Sequence, residues 1–379
     1  MGWRDRLRRG FRRCWTALWS APQPPELDPG VAIDGGNGFG GQKLLRSIQP
    51  AGHQMQRGSQ LLPLADVQLI TRYCGIEAPY WPSFLRHYSS LGVECLHVCV
   101  QTDADAKAVE ASVMSTGFRC QLHRLPLALS PDQALKQLPL KALVHGAAYT
   151  LLVDGDEYVT PLRSDVGVAQ LFALFPDVQQ FFLPWLMTPF LDAGQPPRYG
   201  YWGHIGKPVV RSDCMAGIAF DHGFFVDETH ANHRLGSAPA GVFGLAIAHY
   251  WARGFRECLL KTFHNRFNDA KSVDRFEALA LIRAGELPIR LRLLAFLTLQ
   301  QGFVPLPSWQ EQWIDRGLEA QLLRQVLSEE EERRCRFCFD RYQQLLRAHL
   351  PQLPLYPAAS LLTFAKLLPS LAQLEASRL

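Results

Sequence analysis

The chain has no apolar run approaching the ~18 residues that cross a bilayer, so a transmembrane helix is not expected. It has little net charge. Its 39 Lys and Arg against 35 Asp and Glu leave +4, which does not mark the whole molecule as a nucleic-acid binder. It lacks a second cysteine pair to complete the CxxC of Cys335 and Cys338, so a four-ligand zinc site is not expected and ERRCRFCFD reads as helix. Nine scattered cysteines, an odd number, with no secretory signal, lead us to expect reduced thiols in a cytoplasm. The glycine-rich DGGNGFGGQK (34–43) has no Ser or Thr after Lys43 and no clear strand before it. It reads as a flexible loop rather than a phosphate cradle. No internal repeat is found.

What remains is a soluble globular composition, 47% apolar and 20% charged over 379 residues. That length supports a sizeable core and two domains, or one with an appendage. Residues 1–20 stand apart. Trp3, Leu7, Phe11, Trp15, Leu18 and Trp19 recur at helical spacing, and six arginines occupy much of the rest. An amphipathic helix of this kind suits an anionic membrane surface or packs on protein. Residues 21–60 are rich in Pro and Gly and read as a linker.

From residue 61 short apolar segments alternate with helical ones. VQLITRY, CLHVCVQ, RCQLHRLPL and YTLLV read as strands, separated by WPSFLRHYSSLG, DADAKAVEASVM and PDQALKQLPLKALVHGA as helices. This alternation implies α/β, a mainly parallel sheet flanked by helices. VQQFFLPWLMT, GKPVVRS and LAIAHYW continue the strand pattern to about residue 270. Residues 271–379 then read as an all-helical C-terminal extension.

Ligands of such sheets bind outside the carboxyl ends of the strands. There the fourth strand runs into Asp154, Asp156 and Glu157, in YTLLVDGDEYVTP. In an extended chain Asp154 and Asp156 face the same side across the small Gly155. Two such carboxylates repel unless a cation or donor lies between them, and oxygen ligands suit Mg²⁺ or Mn²⁺. Arg72 and Asp103, with Asp105, fall at neighbouring strand ends where a nucleotide's base and ribose would lie. Lys207 and Arg211 alternate on one strand face, and with Lys261 they are candidate phosphate contacts. Asp-x-Asp after a strand also occurs in phosphatases that use an aspartyl nucleophile, but here roughly three strand-helix units precede it, which favours glycosyl transfer.

Five ordered segments over residues 67–261 strengthen that choice. They are ITRYCGIEAPYWPSFLRHYSSLGVECLHVCVQTDAD, LLVDGDEYVTP, FFLPWLMTPF, GKPVVRSD with His222 downstream, and IAHYWARGFRECLLK. Together they resemble family-2-like glycosyltransferases of GT-A fold, a group once known as a domain of unknown function. Ile76-Glu77 stands where that group has Asn-Glu, and Gly254 where it has serine. The resemblance implies a nucleotide-sugar donor, a divalent cation, and a glycan or lipid-linked acceptor. It implies that Asp154 faces ribose or metal, that Asp156 ligates the metal, and that His249 or His222 completes the shell. An inverting transferase also needs a carboxylate base. Asp227 and Glu228, in FFVDET, are the choice over Asp192 and Asp221, and Trp185 and Trp202 are candidate sugar-stacking rings. A non-catalytic nucleotide- or carbohydrate-binding protein on the same fold is the alternative.

Overall fold

The computed structural model describes residues 61–349, apart from 115, 130, 144–145, 163–165, 175, 177, 189–198, 219–223, 227–243, 252, 265–274, 300–303 and 306–313. The N-terminal helix, the linker, Asp192, Asp221, His222, Asp227 and Glu228 lie outside the described residues, as does the chain beyond 349. So does the side chain of Trp202.

Strand β1 (Val67–Arg72) is the centre of the sheet's first half. It pairs in parallel with β2 (Cys95–Val100) on one side and with β4 (Tyr149–Leu152) on the other. The outer strand β3 (Arg119–Arg124) pairs in parallel with β2. β1 alternates its core residues between two faces. Leu69 joins Leu96, Val98 and Leu151 beneath helices α1 (Trp81–Ser90), α2 (Asp103–Val113) and, later in the chain, α5 (Val168–Leu174). Ile70 joins Cys99, Leu152 and Val210 on the other face, beneath α3 (Pro131–Leu135) and α4 (Leu140–Leu143). Burial on both faces is why these strands read as near-continuous apolar runs.

Local chemistry sets the connections. Pro82 in the first turn starts α1, and Gly92 at φ +97° closes the loop after it, where a Cβ would lie 2.8 Å from that of Leu62. The helix expected over PDQALKQLPLKALVHGA divides into α3 and α4. Pro139 brings no N–H and the residue before it avoids helical backbone, so one continuous helix cannot form.

Beyond β4 the sheet turns mixed. β7 (Tyr199–Arg211), longer than the expected GKPVVRS, runs antiparallel between β4 and β6 (Gln180–Met187). β10 (Leu245–His249) lies parallel to β6, and β5 (Glu157–Pro161) closes the edge antiparallel to β10. The order is β3-β2-β1-β4-β7-β6-β10-β5. A separate two-stranded ladder pairs β8 (Met215–Ile218) with β9 (Phe224–Val226).

The expected α/β class holds, with helices at the C-terminal end. Helices α6 (Phe255–Phe263), α7 (Arg275–Arg283), α8 (Ile289–Leu297), α9 (Arg316–Val326) and α10 (Glu329–His349) share a second core that reaches Met187 of β6. Cys335 and Cys338 are buried in that core, as helix-face residues. One short strand, β11 (Val304–Pro305), pairs with β7, so the region after residue 271 is not wholly helical as expected. No described helix is long and apolar enough to cross a membrane.

Candidate functional site

The chain leaves β4 through Val153 and makes a tight acidic turn before entering β5. Glu157 N donates to Asp154 O at 3.0 Å, and Asp154 N donates back to Glu157 Oε2 at 2.8 Å. Tyr250 N, just past β10, holds Asp156 O at 2.8 Å. The β5–β10 register then places His249 directly opposite Glu157. A histidine more than ninety residues downstream thereby reaches the acidic turn.

Asp154 and Asp156 look to different partners. Asp154 Oδ1 accepts from Arg72 Nη2 at 2.6 Å and from Arg72 Nε at 3.0 Å, while its Oδ2 takes Lys207 Nζ at 2.7 Å. Burial pushes this carboxyl up, but Arg72 and Lys207 together hold it well below the usual range. Asp156 Oδ2 takes Lys261 Nζ at 2.7 Å, and its Oδ1 lies 3.8 Å from His249 Nε2. Against the raising effect of burial, Lys261, His249 and Arg253 bring Asp156 to about 2.

Glu157 is fully buried, and burial raises it to about 8 against the pull of Lys207 at 3.5 Å. His249, packed on the Trp185 ring with centroids 4.2 Å apart, is lowered by burial to about 4 despite Asp156. It is neutral near pH 7, with a nitrogen lone pair to offer.

Beneath the turn lies a web of buried charges. Arg253 is fully buried, stacks 4.3 Å over the Tyr80 ring, and reaches Glu257 Oε1 at 2.8 Å and Glu77 Oε2 at 3.2 Å. Its other terminal nitrogen donates to the Gly155 carbonyl. A Cβ on Gly155 would meet Glu77 Oε2 at 3.0 Å, so any larger residue there presses on the Glu77 carboxylate. Glu257 and Lys261 are one turn apart on α6, with Arg253 four residues before Glu257 in the approach to the helix, and that spacing is the sequence signal for the web.

The structure thus brings Asp154 together with Arg72, and Asp156 with His249. Asp103 pairs instead with Arg124 on the surface, and its side chain is 79% exposed. Asp105 is buried in the first turn of α2, where its N–H donates to the capping Thr102 hydroxyl at 3.1 Å and its carboxylate accepts from that hydroxyl. Of the strand pair, Lys207 reaches the acidic turn. Arg211 instead donates to the carbonyls of Val178, Phe172 and Pro176.

A divalent cation fits one part of this arrangement. Asp156, Glu157 and His249 each offer a ligand atom, all within 4.8 Å of one another, the only such group among the described residues. Glu157 Oε1 and His249 Nδ1 are buried without a hydrogen-bond partner. The Asp156 carboxylate, a Glu157 carboxyl that would give up its proton to a cation, and an imidazole suit Mn²⁺ better than Mg²⁺, which prefers oxygen and water. Asp154, the other expected ligand, has both oxygens engaged by Arg72 and Lys207.

No known family's sequence profile matches the chain, and no curated protein matches it. Among solved structures it is similar to core-mannan synthase A from Aspergillus fumigatus (Mn/GDP form), at 11% identity and TM-score 0.25, over 36% of this chain and 48% of that one. The chain spans about half the length of that enzyme. It is similar to a glucosyl-3-phosphoglycerate synthase from Mycobacterium tuberculosis, in complex with Mn²⁺ and uridine diphosphate, at 13% identity and TM-score 0.26, over 45% and 68%. A mannosyltransferase from Pyrobaculum calidifontis in complex with GDP-Man and Mn²⁺ matches over 96% and 92%, at 13% identity and TM-score 0.29. At TM-scores below 0.3 these likenesses establish neither family nor activity.

Proposed function

We propose that the protein is a metal-dependent glycosyltransferase, moving a sugar from a nucleotide-sugar donor to a glycan or lipid-linked acceptor. The observation that carries this reading is the group of Asp156, Glu157 and His249 beside the carboxyl end of β4, with one buried carboxylate oxygen and one imidazole nitrogen lacking partners. The similarity of five ordered segments to family-2-like glycosyltransferases supports it. A cation held there supplies positive charge against the negative charge that develops on a leaving nucleoside diphosphate.

The chain's own residues then have distinct tasks. Asp156 is kept ionised by Lys261, so its carboxylate is available as a ligand at any working pH. His249 stays neutral, and the Trp185 ring fixes its plane. Asp154, held ionised by Arg72 and Lys207 and still 29% exposed, presents an acceptor for ribose hydroxyls. Asp103 and Asp105 flank that nucleotide side. Asp227 and Glu228 are the proposed base for an inverting transfer. Residues 61–270 would form the transferase unit and 271–379 a helical extension. Residues 1–20 would rest on an anionic membrane from the cytoplasmic side, so their deletion should release the protein from anionic vesicles.

The test is thermal stabilisation of the full chain by Mn²⁺ with a panel of nucleoside diphosphates and nucleotide-sugars, since ligands of the folded state raise its apparent stability. At least one nucleotide should stabilise wild type only with Mn²⁺, and Asp156→Asn should fold but lose the effect together with turnover. A non-catalytic binding protein on this fold is the second reading, favoured by the engagement of both Asp154 oxygens and of Asp156 Oδ2 by the protein's own cations. It predicts nucleotide binding without turnover. No Mn²⁺-dependent binding of any nucleoside diphosphate would defeat the transferase reading.

A further inference from the structure

Lys261 enters the acidic site from α6 and is only 6% exposed. Its ammonium has three hydrogens and three acceptors: Asp156 Oδ2 at 2.7 Å, Glu257 Oε1 at 3.0 Å and the Trp251 carbonyl at 3.3 Å. It is a fully coordinated cation tied to the chain by its own side chain. Lys207 plays the same part on the other flank, at 2.7 Å from Asp154 and 3.5 Å from Glu157. The Asp154 and Asp156 carboxylates are therefore compensated before any ligand arrives.

This compensation changes what a divalent cation meets. Between Asp156, Glu157 and His249 it would lie beside buried ammonium groups, in surroundings where charges are weakly screened. Attraction to Asp156 is shared with Lys261, and repulsion from both lysines opposes entry. An anionic diphosphate reverses that balance, because its charges offset the cation and the ammonium groups together. We propose that Lys261 is a built-in competitor for Asp156, so that the divalent cation binds weakly alone and firmly only with the diphosphate of an anionic ligand. This rests on the cation site of the proposed function and adds its order of control: cation and diphosphate bind with positive coupling, each strengthening the other to the same extent.

Mn²⁺ binding to the full chain, followed by electron paramagnetic resonance of the free ion, tests this without recourse to activity. Pyrophosphate serves as the diphosphate probe, with Mn²⁺–pyrophosphate association measured separately. In wild type, pyrophosphate should tighten Mn²⁺ binding by about tenfold or more, within the usual range of coupling between sites. Lys261→Met should bind Mn²⁺ alone about tenfold more tightly than wild type, and its coupling to pyrophosphate should shrink. Lys261→Gln, which retains a hydrogen-bond donor without the charge, should behave like Lys261→Met and guards against a misfolded variant.

Mn²⁺ binding that is unchanged or weakened in folded variants would overturn the inference and make Lys261 an orienting residue for Asp156. Should both variants fail to fold, wild-type Mn²⁺ binding that is indifferent to pyrophosphate overturns it as well. Absence of Mn²⁺ binding in every protein, with and without pyrophosphate, overturns the cation site itself. That outcome is distinct from cation binding that Lys261 does not oppose.

Discussion

Two polar inclusions are buried in the same sheet, and they differ in kind. One is the acidic turn. The other is a neutral chain across the sheet face: Ser212 Oγ and Thr150 Oγ1 share a hydrogen bond at 2.8 Å, Thr150 Oγ1 accepts from Gln68 Nε2 at 2.7 Å, Gln68 Oε1 accepts from His97 Nε2 at 3.2 Å, and His97 Nδ1 accepts from His123 Nε2 at 3.1 Å. The neutral chain spans β3, β2, β1 and β4, and it leaves no buried side-chain atom of its members without a partner. The acidic turn has a surplus of charge in ion pairs and yet leaves Glu157 Oε1 and His249 Nδ1 unmatched. Satisfied polar groups in a core specify register, whereas an unmatched buried group calls for a further explanation. The first inclusion is satisfied within the fold, and the unmatched atoms of the second are those that the proposed cation site would use.

The largest effect is expected from the charged side. Arg253→Met leaves Glu257 and Glu77 buried without their guanidinium and should cost about 3–5 kcal/mol, the scale for breaking one partner of a buried pair. Denaturant unfolding would measure it, and a loss below about 1 kcal/mol would mean that Lys261 alone compensates Glu257.

Next comes the acid response of the neutral chain. Burial, with His123 alongside, lowers His97 to about 4 from an ordinary value near 6.5. Between those values the unfolded chain binds a proton that the folded chain does not, so stability falls as pH drops from about 6.5 to about 4. The full difference is at most about 3 kcal/mol. His97→Gln should flatten the stability–pH curve in that window, and an unaltered slope would remove His97 as its source.

A smaller loss is expected at Gln68. Gln68→Leu removes one of the two hydrogen bonds of the Thr150 hydroxyl and takes the oxygen acceptor from a His97 ring nitrogen, and should cost about 1–3 kcal/mol. Unlike Asp156→Asn, it should leave Mn²⁺ binding untouched, and a weaker Mn²⁺ affinity in a folded variant would break the separation between the two inclusions. Smallest is Asp103→Ala. Its exposed pair with Arg124 contributes under about 1 kcal/mol to stability, as surface pairs do. Any marked effect belongs in nucleotide affinity, read by calorimetry, and its absence would return Asp103 to an ordinary surface acid.

Much of the arrangement was legible in the residues because its causes are local. YTLLV is a strand because apolar residues on both faces can only be buried, and it ends where Asp154 begins. The helix starts at Trp81-Pro82 and at Thr102 follow from short-range chemistry. Strand β5 was missed because EYVTP is short, opens on a carboxylate and ends on proline. Only its pairing with β10 makes it a strand. Asp105 reads in one dimension as a carboxylate just past a strand end, and only the structure shows that it also meets the Thr102 hydroxyl in the first turn of α2. The Arg253 web escaped notice because a fully buried arginine cannot be told from a solvated one until its partners are known.

The alternation of strands and helices up to β4, the place of the acidic turn at a strand end, and the apolar faces that build the core were determined by the sequence itself, through periodicities that act over a few residues. Which carboxylate meets which cation was decided only in three dimensions. The β5–β10 register sets His249 against Glu157, α6 delivers Lys261 to Asp156, and β7 delivers Lys207 to Asp154. The physical reason is that ion pairing depends on distance and dielectric, and both are properties of contacts between residues far apart in the chain.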